Sequence, residues 1–581
     1  MISLRRSTRV VTLLLVLSVP FTGCASIPKE TDPEMVKRVD EGKPTTSTTI
    51  EAPPEGMDAP DLVRDFVDAG AQPANDYEAA RKHLSGRARN SWQVPSEVTV
   101  VKNVDTVPLR KEDLPNSVQM VSLSVDKVGK LRADRSFVPG EGSEQLDIRV
   151  ERQDDGEWRI ANPPDLLLAS RSSFVSNYRA VSVFFLDEQQ NGVVPDVRWV
   201  RQNPQSTLPS RVIDLLLSGP SAGFDSAMNT AIPENTETVS NVSEVKDGAL
   251  LVNLSDLGSL SSKKKRMIAA QVVLTLRGVR TARVQLEEEG TALLSNSSVL
   301  RPSDVASYER QNKVSSEVAP LAVVNEKLVV FNEQAPPVPG PMGSGEYAIT
   351  TAARSDGGER IAAVVRSADE GVDLRVGEYG GSLRKLPVHG SFISRPTWRS
   401  ESEVWAVVDG KRMVRATRDD EGNWSVEDVD VRGFAADRGH IEALRISRDG
   451  TRLAGVVGGR IVVAGIAGSG STLRLQRPTP LTGGFSDSKI KKVAWLNSRA
   501  LVAISDSDST PVVKVSVDGF FWKSYNSSNL RQPLRRLTVG PGQKVIVGDR
   551  SYLWQAMDRE EVWEVLQDIP VGPQSIPFYP G

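Results

Sequence analysis

The sequence predicts a multidomain protein in which an α+β domain and an α/β module precede an all-β region. Two observations predict this order. Apolar residues recur at helical spacing around Leu62 and Phe66, then switch to the alternation of strands after Trp92. Beyond Leu321, short apolar strand centres return at a nearly constant interval, and no helix of ordinary length is needed as far as Leu566. A third observation, the single cysteine Cys24, sets the expected compartment.

Arg5, Arg6 and Arg9 precede an uncharged apolar run over residues 10–19, followed by Pro20, Phe21, Thr22, Gly23 and Cys24. That is the layout of an export signal: a charged region, a short apolar region and small residues at the cut. The run is about half of the ~20 residues a bilayer span needs, which argues against a transmembrane helix. Thr22-Gly23-Cys24 resembles the acceptor of a bacterial lipoprotein signal, although Phe21 stands where that pattern usually has Leu. The resemblance implies diacylglyceryl on the Cys24 sulfur, cleavage between Gly23 and Cys24, and lipid anchoring at the extracytoplasmic face of the cell membrane. Residues 1–23 are then the signal peptide. With no second cysteine, an intramolecular disulfide is excluded, as is a zinc site built on cysteines. The composition is globular, 39% hydrophobic and 25% charged, and the net charge of −3 gives no case for a nucleic-acid partner.

Residues 24–58 read as an extended, lipidated linker. Pro28, Pro33, Pro44, Pro53 and Pro54 punctuate a polar stretch that lacks the apolar side chains needed to offset ordering entropy. At the extension of a proline-rich chain it spans on the order of 100 Å.

Residues 59–168 form the first predicted folded unit. Leu62, Val63, Phe66 and Val67 mark a helix between Pro60 and Gly70, and a second, from Tyr77 to Leu84, ends at Ser85-Gly86. A meander of strands follows. The ending Asp155-Gly156-Glu157-Trp158-Arg159-Ile160 resembles the last hairpin of NTF2-like cone folds. Asp65, Asp68 and Glu78 read as solvated helix faces, and His83 as a side chain near a helix C-terminus, where positive charge suits the dipole.

Residues 175–300 carry the most specific resemblance. A strand over 181–186 is followed by the Asn191-Gly192 turn and a strand through Val197 to Val200. Then come an apolar helix ending Leu217-Ser218-Gly219-Pro220, Ile232-Pro233, a strand over 239–245, and Val252-Asn253-Leu254-Ser255. A second helix contains Gln271, Val272, Val273 and Leu274, and a strand over 281–286 closes the unit. This ordered set resembles the GerMN module of sporulation and germination lipoproteins, which implies an α/β binding or assembly domain.

Two enzyme-like motifs lie inside it. Gly219-Pro220-Ser221-Ala222-Gly223 satisfies G-x-S-x-G, yet it follows a helix and holds Pro220, the reverse of the strand-to-helix context a nucleophile elbow requires. Ser261 and Ser262 each precede a lysine at S-x-x-K spacing, without the companion elements of a penicillin-recognising site. Lys263, Lys264 and Lys265 oppose the helix dipole and are candidates to touch acidic lipid or polymer.

Residues 320–581 repeat. Ile361, Val404, Leu453, Leu501 and Val545 centre similar strands, spaced 43, 49, 48 and 44 residues apart. Such periods with several short strands per unit predict β-propeller blades. Five blades are readable, and residues 327–331 supply a strand toward a sixth. Trp398, Trp405, Trp495, Trp522, Trp554 and Trp563 are assigned to packing between blades, and residues 428–433 fail a calcium loop at Arg432.

The order of lipoprotein signal, NTF2-like cone, GerMN module and propeller resembles the actinobacterial lipoprotein LpqB family over almost the whole chain. The resemblance implies a non-enzymatic accessory of the MtrA–MtrB two-component system, contacting the extracellular domain of an MtrB-like sensor kinase. Cell-wall homeostasis and division are the implied outputs. No catalytic set, metal or cofactor is expected. The alternative is a scaffold binding peptidoglycan or another carbohydrate. Third comes an envelope hydrolase, for which Ser221 would be the nucleophile.

Overall fold

The computed structural model describes residues 52–581, except 112, 246, 280–282, 296–297, 310–315, 436–437, 485–487, 558–561, 567–571 and 573–574. Gly23, Cys24 and the lipid-linked part of the linker lie outside the described residues. Among the described residues no helix is long and apolar enough to cross a membrane.

The first domain opens with helix Ala59–Ala69, whose N-cap Asp58 accepts the Asp61 N–H at 2.9 Å and which carries Pro60 in its first turn. Its apolar stripe, Leu62, Val63, Phe66 and Val67, is buried against a sheet. The sheet order is Trp158–Ile160, Ser143–Arg152, Val118–Leu131, Val98–Leu109 and Leu167–Ser170, the last strand running parallel to its neighbour. Register shifts at Val100/Val101 and Lys102/Asp105 bend the two longest strands, which curves the sheet around the helix. The close fit leaves no room at the helix end, where a Cβ on Gly70 would lie 1.9 Å from the Leu168 carbonyl oxygen. The second expected helix is divided. Glu78–Arg81 ends early, and Ser85 caps a further helix, Gly86–Ser91, rather than only terminating the one before it.

In the second domain Tyr178–Asp187 pairs antiparallel with Val193–Arg201. A second sheet places Leu250–Leu254 parallel to Val284–Glu288, and the intervening helix Ser262–Arg277 provides the crossover that parallel pairing needs. Gln271, fully buried in that helix, receives the Ala231 N–H at 2.8 Å and donates to the Phe184 carbonyl at 3.1 Å, tying the helix to both flanks. The strand expected over 239–245 shrinks to Ser243–Glu244. Those two residues are exposed, while Val242 just before them is buried in the domain core.

Five four-stranded sheets follow, each an antiparallel meander, and they are blades one to five. Ile361, Val404, Leu453, Leu501 and Val545 all fall on the second strand of a blade, where both faces are covered and the apolar run is continuous. Trp398 and Trp495 sit on inner strands and donate their indole N–H to the preceding blade, to Ala353 O at 3.2 Å and Arg445 O at 3.1 Å. A sixth, three-stranded sheet joins Leu321–Val324 and Lys327–Val330 to Ile576–Phe578, so the ring is closed by strands from opposite ends of the region. The sixth blade is therefore real, and Phe578 at its inner strand is fully buried.

Candidate functional site

The three domains meet around a small set of side chains on the strand Val193–Arg201. Alternation puts Asp196 and Arg198 on one face of that strand and Trp199 on the other. Arg198 is 0% exposed. Its Nε donates to Asp196 Oδ2 at 2.8 Å and one Nη to Gly219 O at 2.9 Å. Its other Nη donates to the Asp134 carbonyl of the first domain. Asp196 in turn receives the Ser221 N–H at 2.8 Å and the Ser221 hydroxyl at 3.1 Å. The Ala222 N–H donates to Asp134 Oδ2 at 3.0 Å, closing the network across the domain boundary. Burial pushes the Asp134 carboxyl up, but the Ser136 and Ala222 hydrogen bonds and the Arg198 charge outweigh it and hold the group below its usual range.

Ser221 is thus 2% exposed and its hydroxyl is spent on a structural carboxylate. No hydrogen-bonded imidazole activates it, which is what nucleophilic attack would require. Ser221→Ala is expected to keep full biological activity and to lower stability by about 1.5–3 kcal/mol, the range for a hydrogen bond to a charged group. Complementation of a deletion strain together with a thermal melt checks both halves.

On the opposite face Trp199 enters an aromatic cluster. Its ring centroid lies 4.5 Å from Phe520 of the propeller and 5.1 Å from Phe174, while Phe137 of the first domain lies 4.9 Å from Phe520. Trp199 Nε1 donates to Asp518 Oδ2 at 2.9 Å, and the Arg171 guanidinium lies 5.4 Å from the Phe520 ring centroid. Trp199 and Phe520 belong to the same hydrophobic core as Leu62 and Phe66. One core therefore runs through all three domains. Beside it opens a cleft of about 430 Å³, lined by Phe137 from the first domain, Val197 and Phe224 from the second, and Gln476 and Leu481 from the propeller.

Other candidates fall elsewhere. Asp65 and Asp68 are not free solvated faces. Asp65 Oδ2 is 2.8 Å from Nε2 of the buried His83, and Asp68 accepts the Ser170 and Ser173 hydroxyls, the latter at 2.7 Å. His83 does meet a helix end, through Ala79 O at 2.9 Å, but its second nitrogen is claimed by Asp65. Ser261 caps its helix, and Lys265 pairs with Glu288 at 2.9 Å. Among the described residues no three His, Cys, Asp or Glu side chains converge as metal ligands. Sequence reasoning passed over Asp196, Arg198, Trp199 and Phe520. The signal available was a charged Asp-x-Arg pair inside an otherwise apolar strand and two adjacent aromatics, Phe520-Phe521, after the Asp518-Gly519 turn.

Comparison with known proteins gives three family matches. Residues 326–580 match the lipoprotein LpqB beta-propeller domain, residues 52–175 the lipoprotein LpqB N-terminal domain, and residues 182–294 the Germane family of sporulation and spore germination. Lipoprotein LpqB of Nocardia farcinica is 29% identical, with 99% of this chain and 98% of that protein covered. Lipoprotein LpqB of Rhodococcus jostii is 28% identical over 98% of this chain and 97% of its own. Among solved structures, the Dos1 propeller aligns with 37% of this chain and 60% of that chain at 14% identity and a TM-score of 0.27.

Proposed function

The chain belongs to the LpqB family of lipoproteins, and from that premise we propose that it is a non-enzymatic regulator held at the outer face of the cell membrane. The anchor in this reading is the diacylglyceryl group on Cys24. The partner is the extracellular domain of an MtrB-like sensor kinase, and the outputs are cell-wall homeostasis and division. The observation that carries the reading is the aromatic core shared by three domains. A body fused in this way presents the loops of a module and a propeller as one fixed surface, which suits recognition of a folded partner.

Co-purification of the extracytoplasmic part of this chain with the kinase ectodomain tests the proposal. A complex that survives Ser221→Ala supports it. Absence of any complex at low salt and high protein concentration sinks it, and sedimentation with purified cell wall would then favour the wall-binding scaffold.

Lipid attachment has its own consequence. Two acyl chains on Cys24 hold a protein at the bilayer where one chain is marginal, and confinement raises its effective concentration for a membrane-embedded partner by orders of magnitude. Cys24→Ser is expected to abolish diacylglyceryl labelling and to weaken kinase output while thermal stability of the secreted form stays unchanged. Unaltered output from the unlipidated form would remove the anchor from the mechanism.

A further inference from the structure

The propeller's central channel has two ends of different character. The inner strands run from Thr397, Ile441, Ile490 and Arg536 toward Ser400, Ile446, Asn497 and Gly540. Their far ends and following turns face the second domain. Asn497, Arg499 and Gln543 line a cleft with Arg179 and Phe184, and Arg399 and Gly450 line another with Glu188. The near ends open on the face away from those contacts, into a cavity of about 390 Å³.

That cavity is cationic. Arg395, Arg445, Lys492, Arg535 and Arg536 line it, and Glu442 is the one carboxylate among its lining residues. Among the described residues no carboxylate forms an ion pair with Arg395, Arg445, Lys492 or Arg535. Arg445 donates only to carbonyls, Leu444 O at 2.6 Å and Arg395 O at 3.3 Å, and Arg536 gives one N–H to Asp549 O at 3.3 Å. The Nε of Arg395 is buried without a hydrogen-bond partner. Burial, followed by repulsion from Arg445 and Arg448, pushes the Arg395 guanidinium down, and burial alone brings Arg445 to about 10. Burial, then repulsion from Arg445, likewise lowers Lys492; the pull of Glu442 opposes this, and Arg395 adds a smaller repulsion. Charges gathered at this cost in hydration and mutual repulsion favour uptake of an anion of matching size.

We propose that the open end of the propeller channel is a binding site for a dianionic phosphoryl group. Planar guanidinium forks from neighbouring inner strands suit tetrahedral phosphate oxygens, and Lys492 adds a point charge. Phe392, Leu444 and Leu537 on the walls leave apolar room for the group that carries the phosphate. The volume fits a phosphate monoester the size of a hexose phosphate, or the headgroup of an anionic lipid. This site goes beyond the kinase-accessory reading and does not depend on it.

The test uses the full chain and three probes: inorganic phosphate, a hexose phosphate, and vesicles containing phosphatidic acid. The wild type is expected to gain thermal stability with at least one probe in a salt-sensitive manner. Arg445→Gln is expected to weaken binding about ten- to a hundredfold. Lys492→Gln should do the same while the ligand-free melting temperature holds or rises, because a repelling charge has gone; that separates lost binding from lost folding. Response to the hexose phosphate without vesicle binding assigns a free ligand. Vesicle binding that Lys492→Gln abolishes assigns a lipid headgroup. No response to any probe, or a response that both variants leave intact, overturns the proposal.

Discussion

Trp199→Ala is expected to lower stability by about 3–5 kcal/mol, the range for deleting a large buried aromatic, and to split one unfolding transition into two. The indole is 1% exposed and touches both neighbouring domains, through Phe174 and through Phe520. Its removal leaves a void beside Phe137 and strips Asp518 of the Nε1 donor. The propeller keeps its own blade cores, so it should still fold. What disappears is its coupling to the first two domains. Calorimetry reads the number of transitions, and limited proteolysis between the second domain and the propeller reads the loosening. A single transition at an unchanged temperature would show that the aromatic cluster does not join the domains.

Arg198→Ala should cost about as much by a different route. A buried pair whose partner is removed leaves an uncompensated charge, typically at a cost of about 3–5 kcal/mol. Here the loss also orphans the carbonyls of Gly219 and Asp134. The double variant Asp196→Val/Arg198→Leu is expected to recover only the part of the deficit due to the uncompensated charge, because it also removes the acceptor of the buried Ser221 N–H and hydroxyl. Chemical denaturation of the two single variants and the double gives the coupling directly. Simple additivity of the losses would show that the pair acts as two separate side chains.

The two predictions concern residues that local pattern does not reveal, and the reason is physical. Blade second strands such as Arg360–Arg366 and Glu403–Val408 are covered on both faces, so their burial is written into four or five consecutive apolar residues and recurs with each blade. The α+β and α/β domains show through the same contrast of periods. Trp199 and Phe520 are separated by more than three hundred positions and make contact only once the domains are assembled. Each reads by itself as an ordinary aromatic of a strand or a turn. Asp65 was legible only in part: its spacing on the helix marks a solvent side, and its side chain does stay 42% exposed, but one carboxylate oxygen meets the buried His83 eighteen residues on. The sixth blade was half legible. Residues 327–331 announce a strand, while its inner partner Ile576–Phe578 lies far outside any repeat window.

The splice of Leu321–Val324 to Ile576–Phe578 also orders the chain in time. A polypeptide made amino end first must hold the first of these strands unpaired until about 250 further residues have followed, a contact of very long loop closure. The early core waits as well, because Phe520 is one of its members and arrives only with the fourth blade. Neither the first domain nor the ring is complete while synthesis is under way. Maturation is then a single late event, and the interval before it, with open sheet edges and an unfilled aromatic socket, is when the chain is most exposed to proteases and to pairing with a second copy.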